Sequence, residues 1–278
     1  MVARMPDPSR EQRLPKKSTT ALLGFLVGLF AAFLGIGGGV IILPLLILVY
    51  RLDPRRATGT SLGIVAFVVG ASVAIEVLHL VFDPNSVQPA WLAVAAIAPT
   101  SMFAASFVTR YVSRIPDQWL RFGFTAVLWI SAYRLSGLGS GGRAAGWFEY
   151  QALNGVEFLI LPLLGLLSGS IATIVGIGGG LVLIPALALV FSDLSPLACR
   201  STSLLIVLPT ALVAYLRHRE QATAEPGLVR VLAPSCAAGA VAGTVFVHRV
   251  DAAWFTMVFA VFMFAAGLRL VLQKSRRS

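Results

Sequence analysis

Residues 18–50 form a run of 33 without one charged side chain, and residues 158–192 form another of 35. A helix crossing the hydrocarbon core of a bilayer needs about 20 apolar residues, so each run exceeds a single crossing. The remainder has the same character, with 57% of the 278 residues apolar and 12% charged. An ordinary soluble domain is about 25% charged, and here too few polar residues remain to cover a core of this size. These proportions describe a membrane protein and exclude soluble enzymes and extracellular modules.

The net charge of +10 could suggest nucleic acid as a partner. Its placement argues otherwise. Arg4, Arg10, Arg13, Lys16 and Lys17 precede the first apolar run, and Lys274, Arg276 and Arg277 follow the last. Flanking charge of this kind orients membrane proteins, and no basic stripe is interleaved with aromatics, so no nucleic-acid partner is expected. Cys199 and Cys236 lack CxxC or His-rich company; they imply neither a metal site nor a cofactor and read as small packing residues.

Aligning Gly24 to Pro44, GFLVGLFAAFLGIGGGVIILP, with Gly165 to Pro185, GLLSGSIATIVGIGGGLVLIP, pairs them without a gap at a spacing of 141. The match continues at 142, where LDPRRATGTSL from Leu52 faces LSPLACRSTSL from Leu194. At 135 it pairs Pro99 with Pro234, Arg114 with Arg249 and Trp119 with Trp254. A basic start before an apolar stretch also resembles a cleaved leader, but a leader would not be copied mid-chain. The chain reads as a tandem duplication, which in membrane proteins points to a transporter with its site between the halves.

This organisation predicts a basic tail at 1–17, a first membrane repeat at 18–138, a glycine-rich connector at 139–157, a second repeat at 158–272 and a basic tail at 273–278. Apolar segments fall at roughly 19–50, 60–82, 90–110 and 119–138, then at 158–191, 201–216, 228–248 and 252–272. As one helix the first segment of each half would measure about 50 Å against a core of about 30 Å. It must break, and GIGGG is the place, since each interior glycine costs up to about 1 kcal/mol of helix propensity. The expected fold is an all-α polytopic membrane protein of two homologous halves, each a glycine-broken helical hairpin followed by three transmembrane helices.

If the hairpin returns to its starting side, each half crosses an odd number of times and the halves are inverted. Only Arg134, Arg143, Arg200 and Arg249 of the 22 basic residues then lie outside. A single crossing by the first segment would leave a weaker inner excess of positive charge, so the distribution favours inverted repeats with both termini cytoplasmic.

Neither GIGGG follows a strand or carries the lysine of a phosphate loop. The glycines could serve only close packing, since Gly24 and Gly28, and Gly35 and Gly39, have small-xxx-small spacing. A second motif recurs with them: GTSL at Gly59 to Leu62 and STSL at Ser201 to Leu204. These hydroxyls are expected to cap helix starts. A helix amino terminus inside a membrane also presents free N–H groups to an anion, so two such starts, two glycine turns and their hydroxyls would form an oxyanion cradle.

GIGGGVIILP with GTSL, and VGIGGGLVLIP with STSL, resemble the sulfite exporter TauE/SafE family of bacterial membrane transporters, over about 20 to 272. The resemblance implies a membrane transporter, read as an exporter, of a small sulfur-containing anion such as sulfite or a sulfonate across the bacterial inner membrane. It carries substrate binding onto Gly37, Gly38, Gly39, Thr60 and Ser61 in the first half. In the second it carries it onto Gly178, Gly179, Gly180, Thr202 and Ser203. Ser201 belongs to the same motif. The chain departs from the pattern in its basic tail, its glycine-rich connector and Cys199-Arg200-Ser201 where the first half has Ala57-Thr58-Gly59. Arg200 is the notable departure: it is either a bidentate anion ligand or a cation snorkelling to the headgroups.

Glu76 and His79 lie one helical turn apart in an otherwise uncharged segment. Such residues are candidates for proton coupling, although Asp83-Pro84-Asn85 ends the segment a turn later and would place both near the outer interface. No second Glu-x-x-His pair exists for a di-iron site. The rival functions are a membrane-embedded enzyme, disfavoured because no nucleophile and base are assembled, and an assembly factor whose glycines only pack.

Overall fold

The structure, a computed structural model, describes residues 17–84, 86–111, 155, 157–191 and 193–272. The tails before Lys17 and after Leu272, the fourth segment of the first half and nearly all of the connector lie outside the described residues. Among the described residues nine helices form: α1 (Lys17–Leu34), α2 (Gly39–Leu48), α3 (Pro54–Phe82), α4 (Trp91–Tyr111), α5 (Glu157–Val175), α6 (Gly180–Val190), α7 (Pro196–Glu220), α8 (Pro226–Val247) and α9 (Ala252–Leu272). Of these, α3, α4, α7 and α8 are long and apolar enough to cross a membrane. Phe82, Leu48, Leu159 and Met257 are among many large apolar side chains on the surface. In water such a surface would drive aggregation; in lipid it is the solvated face. The molecule is a polytopic helical membrane protein.

Both first segments break at GIGGG. The turns place Gly35, Gly37 and Gly38 at φ 70°, 74° and 84°, and Gly176, Gly178 and Gly179 at 73°, 87° and 84°. Left-handed backbone is costly for residues with a Cβ, which is why glycine holds these positions. The hairpin closes on itself: the Tyr50 hydroxyl, just past α2, donates to Thr20 Oγ1 near the start of α1, 3.4 Å away. Segment one therefore returns toward its own beginning.

α3 and α7 occupy equivalent places in the two repeats and pack along one another. A Cβ added to Gly59 would meet His218, one on Gly63 would meet Tyr215 and one on Gly70 would meet Leu208, while Glu76 contacts Arg200. Rising numbers on α3 meet falling numbers on α7, so the equivalent helices are antiparallel. The other contacts are reciprocal. Gly24 and Gly28 of α1 lie against Ser235 and Cys236 of α8, and Gly165 and Gly169 of α5 lie against Thr100 and Ser101 of α4. These are the same contacts with the halves exchanged, the signature of a two-fold relation.

The starts of α3 and α7 differ from expectation. α3 begins at Pro54 after Asp53, and α7 begins at Pro196 with Ser195 accepting from the Ala198 amide at 3.1 Å. GTSL and STSL therefore lie more than a turn inside their helices and cap neither. The proline at each first helical position moved the boundary forward, because its fixed φ suits a helix start.

Candidate functional site

The two glycine turns meet at mid-height of the α3–α7 pair. A Cβ on Gly37 would lie 3.1 Å from Val65 and 3.5 Å from Val207, and one on Gly178 2.7 Å and 3.4 Å from the same two side chains. Gly39 faces the backbone of Gly176 and Ile177, and Gly180 that of Gly35 and Ile36. Here the chains approach too closely for side chains, so the packing role of the glycines is real.

From this centre a polar cluster extends toward the C-terminal end of α3. Arg200 of α7 is fully buried, with its stem against Gly35. Its Nη1 donates to Glu76 Oε1 in a buried ion pair. Nη2 donates to Ala32 O at 2.7 Å, and Nε is shared by Ala32 O and Phe33 O, each 3.2 Å away. Breaking α1 leaves under-satisfied carbonyls at the negative end of its dipole, Ala32 O accepting only the Gly35 amide at 3.1 Å from the backbone. Arg200, from the other half, answers both.

Glu76 has further partners. The Ser201 hydroxyl donates to Oε2 at 3.1 Å, and His248 Nε2, beyond the end of α8, lies 3.4 Å from Oε1. The His248 ring stacks on His79 at a centroid distance of 4.0 Å and an interplanar angle of 22°. Phe33 packs against Phe246, Trp254 and Phe255 with centroids 5.6–6.0 Å away. Taking two charges out of water costs several kcal/mol each unless attraction and hydrogen bonds offset it. The full set of partners around Glu76 and Arg200 meets that condition.

The hydroxyl motifs divide between tasks. Thr60 Oγ1 donates to Arg56 O at 2.7 Å and accepts from the Glu225 amide, just before α8, at 3.0 Å. Thr202 Oγ1 accepts from the Ala90 amide, just before α4, at 2.8 Å. Ser61 donates to Gly176 O at 2.8 Å. Its counterpart Ser203 is buried with its hydroxyl unpartnered. At the opposite end of the α3–α7 pair, Asp53, Pro54, Arg55, Arg56, Ala222 and Thr223 line an open cavity of about 540 Å³.

Glycine-broken hairpins joined at the centre of a lipid-facing helical bundle are transporter architecture. A family model described as sulfite exporter TauE/SafE matches residues 1–135 and 161–278. The chain belongs to the TauE/SafE family. A curated relative named "Probable membrane transporter protein YunE", from Bacillus subtilis (strain 168), is 30% identical over 132 residues, covering 44% of this chain and 47% of that protein. The chain thus spans about half the length of that relative. No solved structure matches.

In this member of the TauE/SafE family the structure brings Arg200, Ser201 and Glu76 together and joins His79 to them through His248. It sets Gly37, Gly39, Gly178 and Gly180 against the opposite half, and places Ser203 one turn from Arg200 on the same helix. Thr60 and Thr202 point to the chain before α8 and α4. Two expectations need correction. The hydroxyl motifs do not cap their own helices, because those helices start earlier. Arg200 does not snorkel, because Glu76 and two carbonyls hold it inside the protein. Glu76 is buried under α7 and the turn after α8, less than two turns before the end of α3.

His248 escaped the sequence reading. Its signal was weak: one histidine at a segment end, beside Arg249. A clearer signal lay in the repeat itself, since Glu76 aligns with His218 and Arg200 with Thr58 at the spacing of 142. The duplicated frame carries a buried ion pair between α3 and α7 at one end and His218 with Thr58 at the equivalent positions of the other.

Proposed function

We propose that this transporter carries a small sulfur-containing oxyanion, sulfite or a sulfonate, outward across the bacterial inner membrane. In this reading the halves are inverted in the bilayer and both termini are cytoplasmic. The observation that carries the proposal is Arg200: a fully buried guanidinium beside the glycine turn, one helical turn from the unpartnered Ser203 hydroxyl. Its planar fork suits two oxyanion oxygens. The glycine turn at Gly35 lies against its stem, leaving the backbone of the first half close to such a ligand. The antiparallel packing of α3 against α7 supports inversion, because equivalent helices can run in opposite directions only if the repeats do. The charge distribution supports the orientation.

With the N-terminus inside, the 540 Å³ cavity faces the cytoplasm and the Glu76–Arg200 pair lies toward the opposite end of the α3–α7 pair. The test is a thermal-shift series on purified protein with sulfite, sulfate, thiosulfate, methanesulfonate and acetate, followed by flux in proteoliposomes of the anions that bind. Sulfite or a sulfonate should raise the melting temperature most and should cross the membrane. No shift and no flux with any of them would overturn the proposal.

A further inference from the structure

The Glu76 carboxylate occupies Arg200 in the way an arriving oxyanion would. We propose that Glu76 is a built-in occupant of the anion site: a proton reaching it by way of His79 and His248 breaks the ion pair, and the freed guanidinium takes the transported anion. The inference rests on the anion reading above and adds its coupling ion. Proton and anion then bind together.

The geometry assigns each part. Glu76 and Ser201 fill the side of the guanidinium that the carbonyls of Ala32 and Phe33 leave open. Those carbonyls hold Arg200 in place whichever anion it faces. His248 Nε2 is buried, has no hydrogen-bond partner and lies 3.4 Å from Glu76 Oε1. Its ring is stacked on His79, which is half-buried at the rim of the cluster. Among the described residues the ionisable groups around Glu76 are Arg200 from α7, His248 from the turn after α8 and His79 on its own helix, with Asp83 one turn beyond His79 and Arg249 and Asp251 beside His248 in sequence. α1 beyond Lys17 and α9 before Arg269 carry none.

In the exchange, a proton from water is taken up at the histidine pair and passed from His248 Nε2 to Glu76 Oε1. The neutral carboxyl no longer balances Arg200, and the anion replaces it. For a monovalent anion such as hydrogen sulfite or a sulfonate the site holds one positive and one negative charge before and after, so the low-dielectric interior never contains an uncompensated charge. An anion entering without the proton would leave two negative charges sharing one guanidinium. The second half cannot do the same, because the equivalents of Glu76 and Arg200 are His218 and Thr58.

The test is calorimetric titration of the full-length protein with sulfite, sulfate and methanesulfonate, in phosphate and in Tris, with sulfite's own protonation measured in a blank. The difference between buffers reads the protons bound. Uptake of about one proton per anion is expected, with affinity rising about tenfold for each unit of acidification while Glu76 starts ionised. Glu76→Gln should bind the same anion with no proton uptake and with affinity independent of pH. Binding by the native protein without proton uptake would overturn this inference and leave the anion reading standing. Absence of binding by all three anions would overturn both. Proton uptake that persists in a folded Glu76→Gln protein would remove Glu76 from the step. If that variant does not fold, the proton count of the native protein decides.

Discussion

Thr60 accepts a hydrogen bond from the backbone amide of Glu225 at 3.0 Å, a residue 165 positions away at the threshold of a helix in the other half. Thr202 does the same for Ala90 at 2.8 Å. Each hydroxyl serves the start of a helix in the opposite repeat. Replacing either threonine by valine leaves an amide without its acceptor and should cost about 1–3 kcal/mol of stability. Serine at either site should behave as native. The two losses should add, because the bonds share no partner. Unfolding in detergent measures this, and a Thr60→Val, Thr202→Val protein as stable as the native one would contradict it.

Arg200 and Glu76 should show a strong coupling energy. Arg200→Met alone strands a buried carboxylate and should destabilise by about 3–5 kcal/mol. Adding Glu76→Gln should recover much of that loss, although neither double-variant side chain restores an ion pair. Arg200→Lys keeps the charge and gives up the fork; anion affinity should then fall by about 1–3 kcal/mol. A double variant no more stable than Arg200→Met would show that the pair is not coupled.

The close helix approaches predict a contrast among glycines. A Cβ on Gly28 would run into the backbone of Cys236, and one on Gly169 into that of Ser101. Gly28→Ala and Gly169→Ala should each cost about 1–3 kcal/mol through forced separation of packed helices. Gly227 of α8 has nothing within 4 Å. Gly227→Ala should be neutral or stabilising by up to about 1 kcal/mol through helix propensity. Equal effects at all three sites would refute the packing argument.

Cysteine labelling decides the topology. Arg55→Cys and Gln221→Cys, both exposed, should react with an impermeant reagent from the same side of the membrane, and Asp83→Cys from the other. The native Cys199 and Cys236 are buried and should stay silent. If the halves ran parallel, position 55 would be labelled from the side opposite position 221.

The amino-acid pattern disclosed the membrane, the duplication and the break at GIGGG, because each depends on composition or local backbone preference. The close contacts of Gly28 and Gly39 were legible as small-residue spacing. The ion pair was not. Glu76 and Arg200 are 124 residues apart, and nothing local to either indicates the other; only the antiparallel register of α3 and α7 brings them together. The task of Thr60 and Thr202 was hidden for a related reason. Their spacing suits a cap, but proline at 54 and 196 had already started the helices, freeing both hydroxyls for partners that local sequence cannot specify.

The reciprocal contacts have a consequence for synthesis. α1 finds its main packing partner in α8, and α5 finds its own in α4. At a translation rate of about 5–20 residues per second, the stretch between α1 and α8 takes roughly 10–40 s to emerge. For most of that interval the broken end of α1 stands in the bilayer with the carbonyl of Phe33 awaiting an arginine not yet made. Neither repeat is a folding unit, and the nascent first half needs temporary shelter, from lipid headgroups, water or the insertion machinery, until its counterpart arrives.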